Sequence, residues 1–544
     1  NNATNTIDLN NANSIVKLVG NRVQHITQSV HVNENVGAAK GISTTGDSVV
    51  NTLVLDASAA LIGTAKTSVI NAFNINGNTL NIANTGVLDC SGSVTLNNAN
   101  SKLLFSDAGR VDCTVVVSAI PNSGKGIDVD ASGAALYGDL RLDTSGNVNI
   151  ATNTTFLYEG STVDMSGNNS LTLIGNDATS VLQGANNLQI SDTGNLTIGG
   201  DILLNMPITL TGTGTSTLSL GSNSLTYYDA SAALIDVGTS TFNITGSGDL
   251  SNNATNTIRL NNSDSLVKLD SATIHHITQN ADANTSKGID IASDTNVKTV
   301  VLNADTEVSG TGALLVSNAF NVGANIMDIT GTGDLSGARI TLNHADSLLK
   351  RTGAGNIYND VYFTASSNDK KGIDLSANTT MYGDISLNNV NGIVDISGVT
   401  FTYSGKTIRT GENSLSIFGG TTSNSIFAGY NGVTIDMSGG TLEAGGSFDF
   451  RSPIEVTGTG IHNIALNDNT IRYQDASAAI IDVGNRTLVI HGSGTFNNVA
   501  AETIRLNNAN SILDLSGVTL SHATQSIDAN ANKSFNISDD STLT

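Results

Sequence analysis

Tryptophan is absent from this 544-residue chain, and the aromatic residues together supply only 4% of it. Sandwich domains carry aromatic-rich cores and longer strands, so a flat β-sandwich array fits poorly. Proline occurs three times, and no Pro-rich run, Gly/Ser tract or charge block marks a linker. No apolar run approaches the roughly 18 residues of a membrane span, and no signal peptide opens the chain. Basic residues number 24 against 47 acidic ones, for a net charge of −23. That balance argues against nucleic acid and against an anionic membrane surface as partners. It admits a structural calcium ion or a cationic partner, although solubility accounts for it more simply. Sustained i, i+3, i+4 apolar patterning is missing as well, so helices are not expected.

What the chain has instead is repetition. Asn1-Asn2-Ala3-Thr4-Asn5-Thr6-Ile7-Asp8-Leu9-Asn10-Asn11 returns almost letter for letter at 252–262, and again, more worn, as Thr503-Ile504-Arg505-Leu506-Asn507-Asn508. Asp229-Ala230-Ser231-Ala232-Ala233-Leu234-Ile235-Asp236-Val237-Gly238 recurs 246 residues on, from Asp475 to Gly484. Lys125-Gly126-Ile127-Asp128 recurs at Lys371-Gly372-Ile373-Asp374, and Pro207-Ile208 at Pro453-Ile454. Within this long repeat lies a module of about 82 residues, marked by Leu-Asn-Asn-Ala-Asn-Ser or a near variant from Leu9, Leu96, Leu260, Leu342 and Leu506. A second mark precedes it at Phe73, Phe242, Phe320 and Leu488. The gap between marks is 22 or 23 residues in two modules and 18 in two others, which reads as a loop inserted in alternate modules.

The finest period decides the fold class. From Leu225, apolar clusters recur about every eight residues, each alternating apolar-polar-apolar, with Gly, Asn, Asp, Ser and Thr between them. Short strands joined by polar turns follow. Three of them make about 24 residues, one coil of an all-β, elongated parallel β-helix (β-solenoid). Coils stacked at roughly 4.8 Å give about 23 coils and a rod on the order of 110 Å. Right-handed coiling follows from the usual crossover preference. The expectation is one continuous solenoid over 1–544, with long repeats at 1–251, 252–497 and 498–544, the third cut short. The chain reads as a piece of a longer protein, with no capping element visible at either terminus.

Candidate chemistry is sparse. Cys90 and Cys113 lie 23 residues apart, near one coil. They allow a disulfide between neighbouring coils or two buried thiols, and the thiols are preferred because the positions one long repeat later are Ser336 and Asn359. His25, His276 and His522 are equivalent, but repeats about ten coils apart put successive copies roughly 50 Å from each other, too far to share a metal. Gly46-Asp47-Ser48-Val49 has the look of a serine nucleophile loop, yet it lacks the following Gly that shapes an oxyanion hole. Asp539-Asp540 is the single Asp pair, and Lys and Arg are too few to suggest a cleavage groove. Gly246-Ser247-Gly248-Asp249-Leu250 and Gly331-Thr332-Gly333-Asp334-Leu335 are fragments of the calcium-binding nonapeptide pattern that do not recur every nine residues, so they read as turns. Thr209-Leu210-Thr211-Gly212-Thr213 hints at the rows of ice-binding solenoids but is not repeated coil after coil. No catalytic, cofactor-binding or metal residue is assigned.

In the style of its repeats, such as Leu96-Asn97-Asn98-Ala99-Asn100-Ser101 and Phe242-Asn243-Ile244-Thr245-Gly246-Ser247-Gly248-Asp249-Leu250, the whole chain resembles β-helix passengers of Gram-negative autotransporters and filamentous haemagglutinins, including surface-layer-like antigens. The resemblance implies an extracellular or cell-surface location and a non-enzymatic structural role: a self-assembling filament or layer subunit. An adhesin passenger binding host protein or glycan is the alternative, and a β-helix enzyme acting on polysaccharide the third. The expected partners are further copies of the chain, or a host surface or glycan, with no membrane insertion in this segment.

Overall fold

The computed structural model describes residues 7–32, 40–83, 85–143, 147–152, 154–160, 162–165, 169–176, 179–184, 188–191, 193–227, 235–252, 258–369, 371–429, 432–474, 481–498 and 504–543. The repeat segments 1–6, 229–234, 253–257 and 475–480 fall outside them. Two compact units divide the chain, Asn1–Ile277 and Thr278–Thr544. Both are parallel β-solenoids, and no helix occurs among the described residues.

One coil of the first unit shows the construction. Lys66–Val69, Phe73–Asn74 and Thr79–Ile82 occupy three faces in turn. The chain then returns to the first face as Val87–Cys90, with Val87 paired to Lys66. On the second face Val94 pairs with Phe73, and on the third Lys102 pairs with Thr79. The same scheme runs through the second unit, where Ile340, Val361 and Ile385 follow one another in register. The expected three-strand coil is therefore present, at roughly 23 residues per turn and about 21 turns in place of the anticipated 24 and 23. The length is not fixed because the corners vary: Ile7 to Ile26 is 19 residues and Ile208 to Ile235 is 27.

Alternation fills the interior. In Lys102-Leu103-Leu104-Phe105, Leu103 and Phe105 are fully buried while Lys102 and Leu104 are only partly so. Leu80, Leu103, Ile127 and Ile150 then stack in register as one apolar ladder. Each buried Leu or Ile contributes about 1.5–3 kcal/mol through removal from water.

The Leu-Asn-Asn-Ala-Asn-Ser mark is a corner. At four of its copies the backbone N–H of the second Asn position donates to the Ser hydroxyl: Asn98 to Ser101 (3.2 Å), Asn262 to Ser265 (3.2 Å), His344 to Ser347 (3.0 Å) and Asn508 to Ser511 (3.2 Å). These serines are buried, and Ser511 Oγ donates in turn to the Gly484 carbonyl at 2.5 Å. Gly484 and its counterpart Gly238 have φ of +61° and +57°, the left-handed region that glycine enters without strain. Asn side chains also bridge coils in pairs, Asn97 to Asn76 at 2.9 Å and Asn122 to Asn100 at 2.7 Å.

The inserted-loop reading of the 18- and 23-residue gaps is corrected. Phe73 and Phe320 lie on the same face as the Leu96 and Leu342 strands, one coil earlier. Phe242 and Leu488 lie instead on the face of Leu266–Asp270 and Ile512–Ser516. The marks sit on different faces, so one gap is a whole coil and the other is two strand steps. All three faces share the same alternation, which is why the letters look alike.

The preference for free thiols is also corrected. Cys90 and Cys113 form a disulfide with a Cα–Cα distance of 5.0 Å. They follow the paired residues Leu88 and Val111 at equal spacing, so they occupy equivalent positions on adjacent coils. That separation lies within the range a disulfide requires.

Candidate functional site

The residues singled out in the sequence are mostly parts of corners. Ser48 is buried, donates to the Gly46 carbonyl (2.6 Å) and accepts from the Asn21 N–H (3.2 Å), so it ties two coils together. Asp47 accepts from the Lys66 N–H at 3.0 Å. His25 and His276 are half-buried on strands Arg22–Gln28 and Thr273–Gln279, and His522 is exposed. Among the described residues no group of three His, Cys, Asp or Glu could hold a metal ion. Gly246 to Asp249 links two strands, and a side chain at Gly248 would come within 2.1 Å of the Asn223 carbonyl oxygen. Gly331 to Asp334 is likewise a corner, with Asp334 accepting from the Asn356 N–H at 2.9 Å. Thr209 and Thr211 lie in strand Ile208–Thr211. Asp539 and Asp540 are exposed, and Asp539 accepts from the Ser516 hydroxyl at 2.7 Å. No helix among the described residues is long and apolar enough to cross a membrane.

The most developed surface feature lies on the second unit, on the face formed by Ile340–Leu342, Val361–Phe363, Ile385–Leu387 and Ile408–Arg409. Thr341, Tyr362, Ser386 and Arg409 follow one another in register along its outer row. Tyr362, Ser386 and Arg409 border a polar groove of about 780 Å³, which Arg339, Asp360 and Asp384 also line. The Arg339 guanidinium carbon stands 4.8 Å from the Tyr362 ring centroid, a cation–π arrangement. Arg409 Nη1 donates to Asp384 Oδ2 at 3.0 Å, while Asp384 Oδ1 accepts from the N–H groups of Lys406 (2.8 Å) and Thr407 (3.0 Å). Asp360 Oδ1 accepts from the Asp384 N–H at 2.8 Å. Within this row the Ser386 hydroxyl is buried without a hydrogen-bond partner among the described residues. On the corner beside the groove Tyr358 and Tyr382 are exposed and stack at 4.6 Å, 6° from parallel.

Further along the same face, a second hollow of about 430 Å³ involves Thr434, Glu455 and Asp482. Glu455 and Asp482 are register neighbours, and both Asp482 oxygens accept from Arg505 at 2.7 Å. Both hollows present donors and acceptors held in fixed positions by ion pairs and backbone hydrogen bonds. Asp384 and Asp482 are each occupied by an arginine, which leaves them ill placed to exchange a proton with a substrate.

Sequence reasoning missed the groove because its residues come one per coil. The signal that could have found it is a departure from the long repeat. Tyr362, Ser386 and Arg409 stand where the first unit has Val116, Arg141 and Asp164. No protein-family model matches this chain, and neither does any curated protein or any solved structure.

Proposed function

We propose that the chain is a non-enzymatic, extracellular structural protein, a self-assembling filament or surface-layer subunit made of stacked β-helical repeats. The observation that carries this reading is the recurrence of one outward-facing corner. The turn, Asn-x-x-Ser in three copies and His344-x-x-Ser347 in the fourth, closes with the same backbone N–H to serine hydroxyl bond at Ser101, Ser265, Ser347 and Ser511. A contact made by one corner is thereby offered many times, and weak contacts in parallel add through effective concentration. Uncharged Asn and Ser predominate on these corners, with one Asp in two of the four, Asp264 and Asp346, and they suit close approach between copies of an acidic chain. The Cys90–Cys113 bond suits an oxidising compartment outside the cytoplasm.

Negative-stain electron microscopy of the purified chain, with calcium and with chelator, tests assembly. Fibres or sheets in either condition support the proposal. Separate particles in both conditions, at concentrations where solution scattering reports a monomer, overturn it.

A further inference from the structure

The groove on the second unit offers more than a repetitive scaffold requires. Arg339 is exposed, and its guanidinium makes no hydrogen bond or ion pair among the described residues. It is held over the Tyr362 ring with its donors unused. Asp360 is exposed and has one oxygen engaged by the Asp384 N–H, with the other free of protein donors. Arg409 and Asp384 form a fixed donor–acceptor pair on the opposite side. Ser386, buried between Tyr362 and Arg409 in the register, has a hydroxyl with no partner among the described residues.

A protein partner would normally be anchored by a large apolar side chain in a dry pocket. This groove has no such pocket; its walls alternate charged donors and acceptors around one ring. That pattern matches a ligand with many hydroxyls and one anionic group. The chain carries −23 overall, which disfavours a dense polyanion.

We propose that the groove binds an acidic oligosaccharide, a glycan in which isolated uronate units alternate with neutral sugars. Its carboxylate is taken by Arg339 against Tyr362, and its hydroxyls by Asp360 and the Asp384–Arg409 pair. The matching face of the first unit lacks this capacity. There Arg141 donates through Nε and Nη2 to Asp143, at 2.6 and 2.9 Å, and Val116 replaces the ring.

The test is isothermal titration calorimetry of the intact chain at low salt, with hyaluronan tetrasaccharide as the probe and maltotetraose as the neutral comparison. The uronate probe binds and maltotetraose binds at least tenfold more weakly. Arg339→Ala weakens binding of the uronate probe by about tenfold or more, the loss expected for one charge-assisted hydrogen bond. Tyr362→Ala weakens it severalfold, and Arg141→Ala leaves it unchanged. Circular dichroism melting verifies that these surface variants remain folded. Absence of binding, equal affinity for the two sugars, or parent-like binding by Arg339→Ala overturns the proposal. Assembly seen by microscopy is a separate readout, so either proposal can fail without the other.

Discussion

The first and second long repeats follow the same order of strands and diverge at matched positions in four ways. Inside the coil, Phe105 of the first corresponds to Arg351 of the second. Between adjacent coils, the Leu203–Thr226 neighbours correspond to the ion pair Asp449–Arg472. On the groove face, Val116, Arg141 and Asp164 correspond to Tyr362, Ser386 and Arg409. At the corner, the disulfide corresponds to Gly337 and Asn359, since the register matches Leu335 and Ile357 to Leu88 and Val111. The coil survives every exchange, so what maintains it is common to both: interior alternation and corner turns. The variable positions carry local stability and surface chemistry.

The sharpest contrast to break is Asp449. Its side chain is fully buried, and Arg472 donates to its two oxygens at 2.8 and 3.0 Å. Asp449→Ala strands a partly buried arginine and should lower unfolding stability by about 3 kcal/mol or more. The double change Asp449→Leu with Arg472→Thr copies the first repeat and should restore most of that loss, read by denaturant midpoints. If the double variant is no more stable than the single one, the two repeats are not interchangeable here.

Next is the disulfide, which closes a loop with a sequence separation of 23. Cys90→Gly with Cys113→Asn installs the residue types of the second repeat. Loss of the cross-link should lower stability by about 3 kcal/mol on the chain-entropy account. Reductant should shift the parent protein's unfolding midpoint and leave the variant's unmoved.

A smaller effect is expected inside the coil. Arg351 is fully buried, with Nη2 donating to the Gly333 carbonyl at 2.6 Å while Nε and Nη1 have no partner among the described residues. Burial pushes its guanidinium below the usual arginine value, partly countered by Asp334. Arg351→Phe, the residue of the first repeat, should leave stability unchanged or raise it by about 1 kcal/mol. A clear drop in melting temperature would show that the arginine has found compensation in its corner.

The smallest effect is a pH dependence. His462 is buried where the first repeat has Ser216, and its pKa is lowered, first by burial and then by Arg486, against a raising effect of Asp436. A depressed folded-state pKa leaves stability intact above the unfolded value near 6.5 and removes it as pH falls through the folded value. His462→Ser should flatten this part of the stability–pH curve. An unchanged slope would assign the acid sensitivity to other groups.

Much of the fold was legible because a solenoid repeats its physics every few residues. Leu103 and Phe105, or Phe242 and Ile244, announce a strand by alternation alone. Which face a strand occupies was not legible, since Phe73 and Phe242 sit in near-identical letters on different faces. The disulfide was half-legible: 23 residues suggested one coil, but only the register puts Cys90 and Cys113 at equivalent positions. The groove was hidden because Arg339, Tyr362 and Arg409 are widely separated in sequence, at outward positions where any polar residue keeps the coil intact.

The bond between Cys90 and Cys113 also has a mechanical meaning. A stacked coil pulled from one end can unravel turn by turn. Each freed turn of roughly 23 residues lengthens the tether by roughly 80 Å at full extension. The disulfide removes one such increment, because the residues between its cysteines remain a closed ring when the surrounding strands have peeled away. Under load the oxidised chain would therefore reach a contour length shorter by about one turn than the reduced chain.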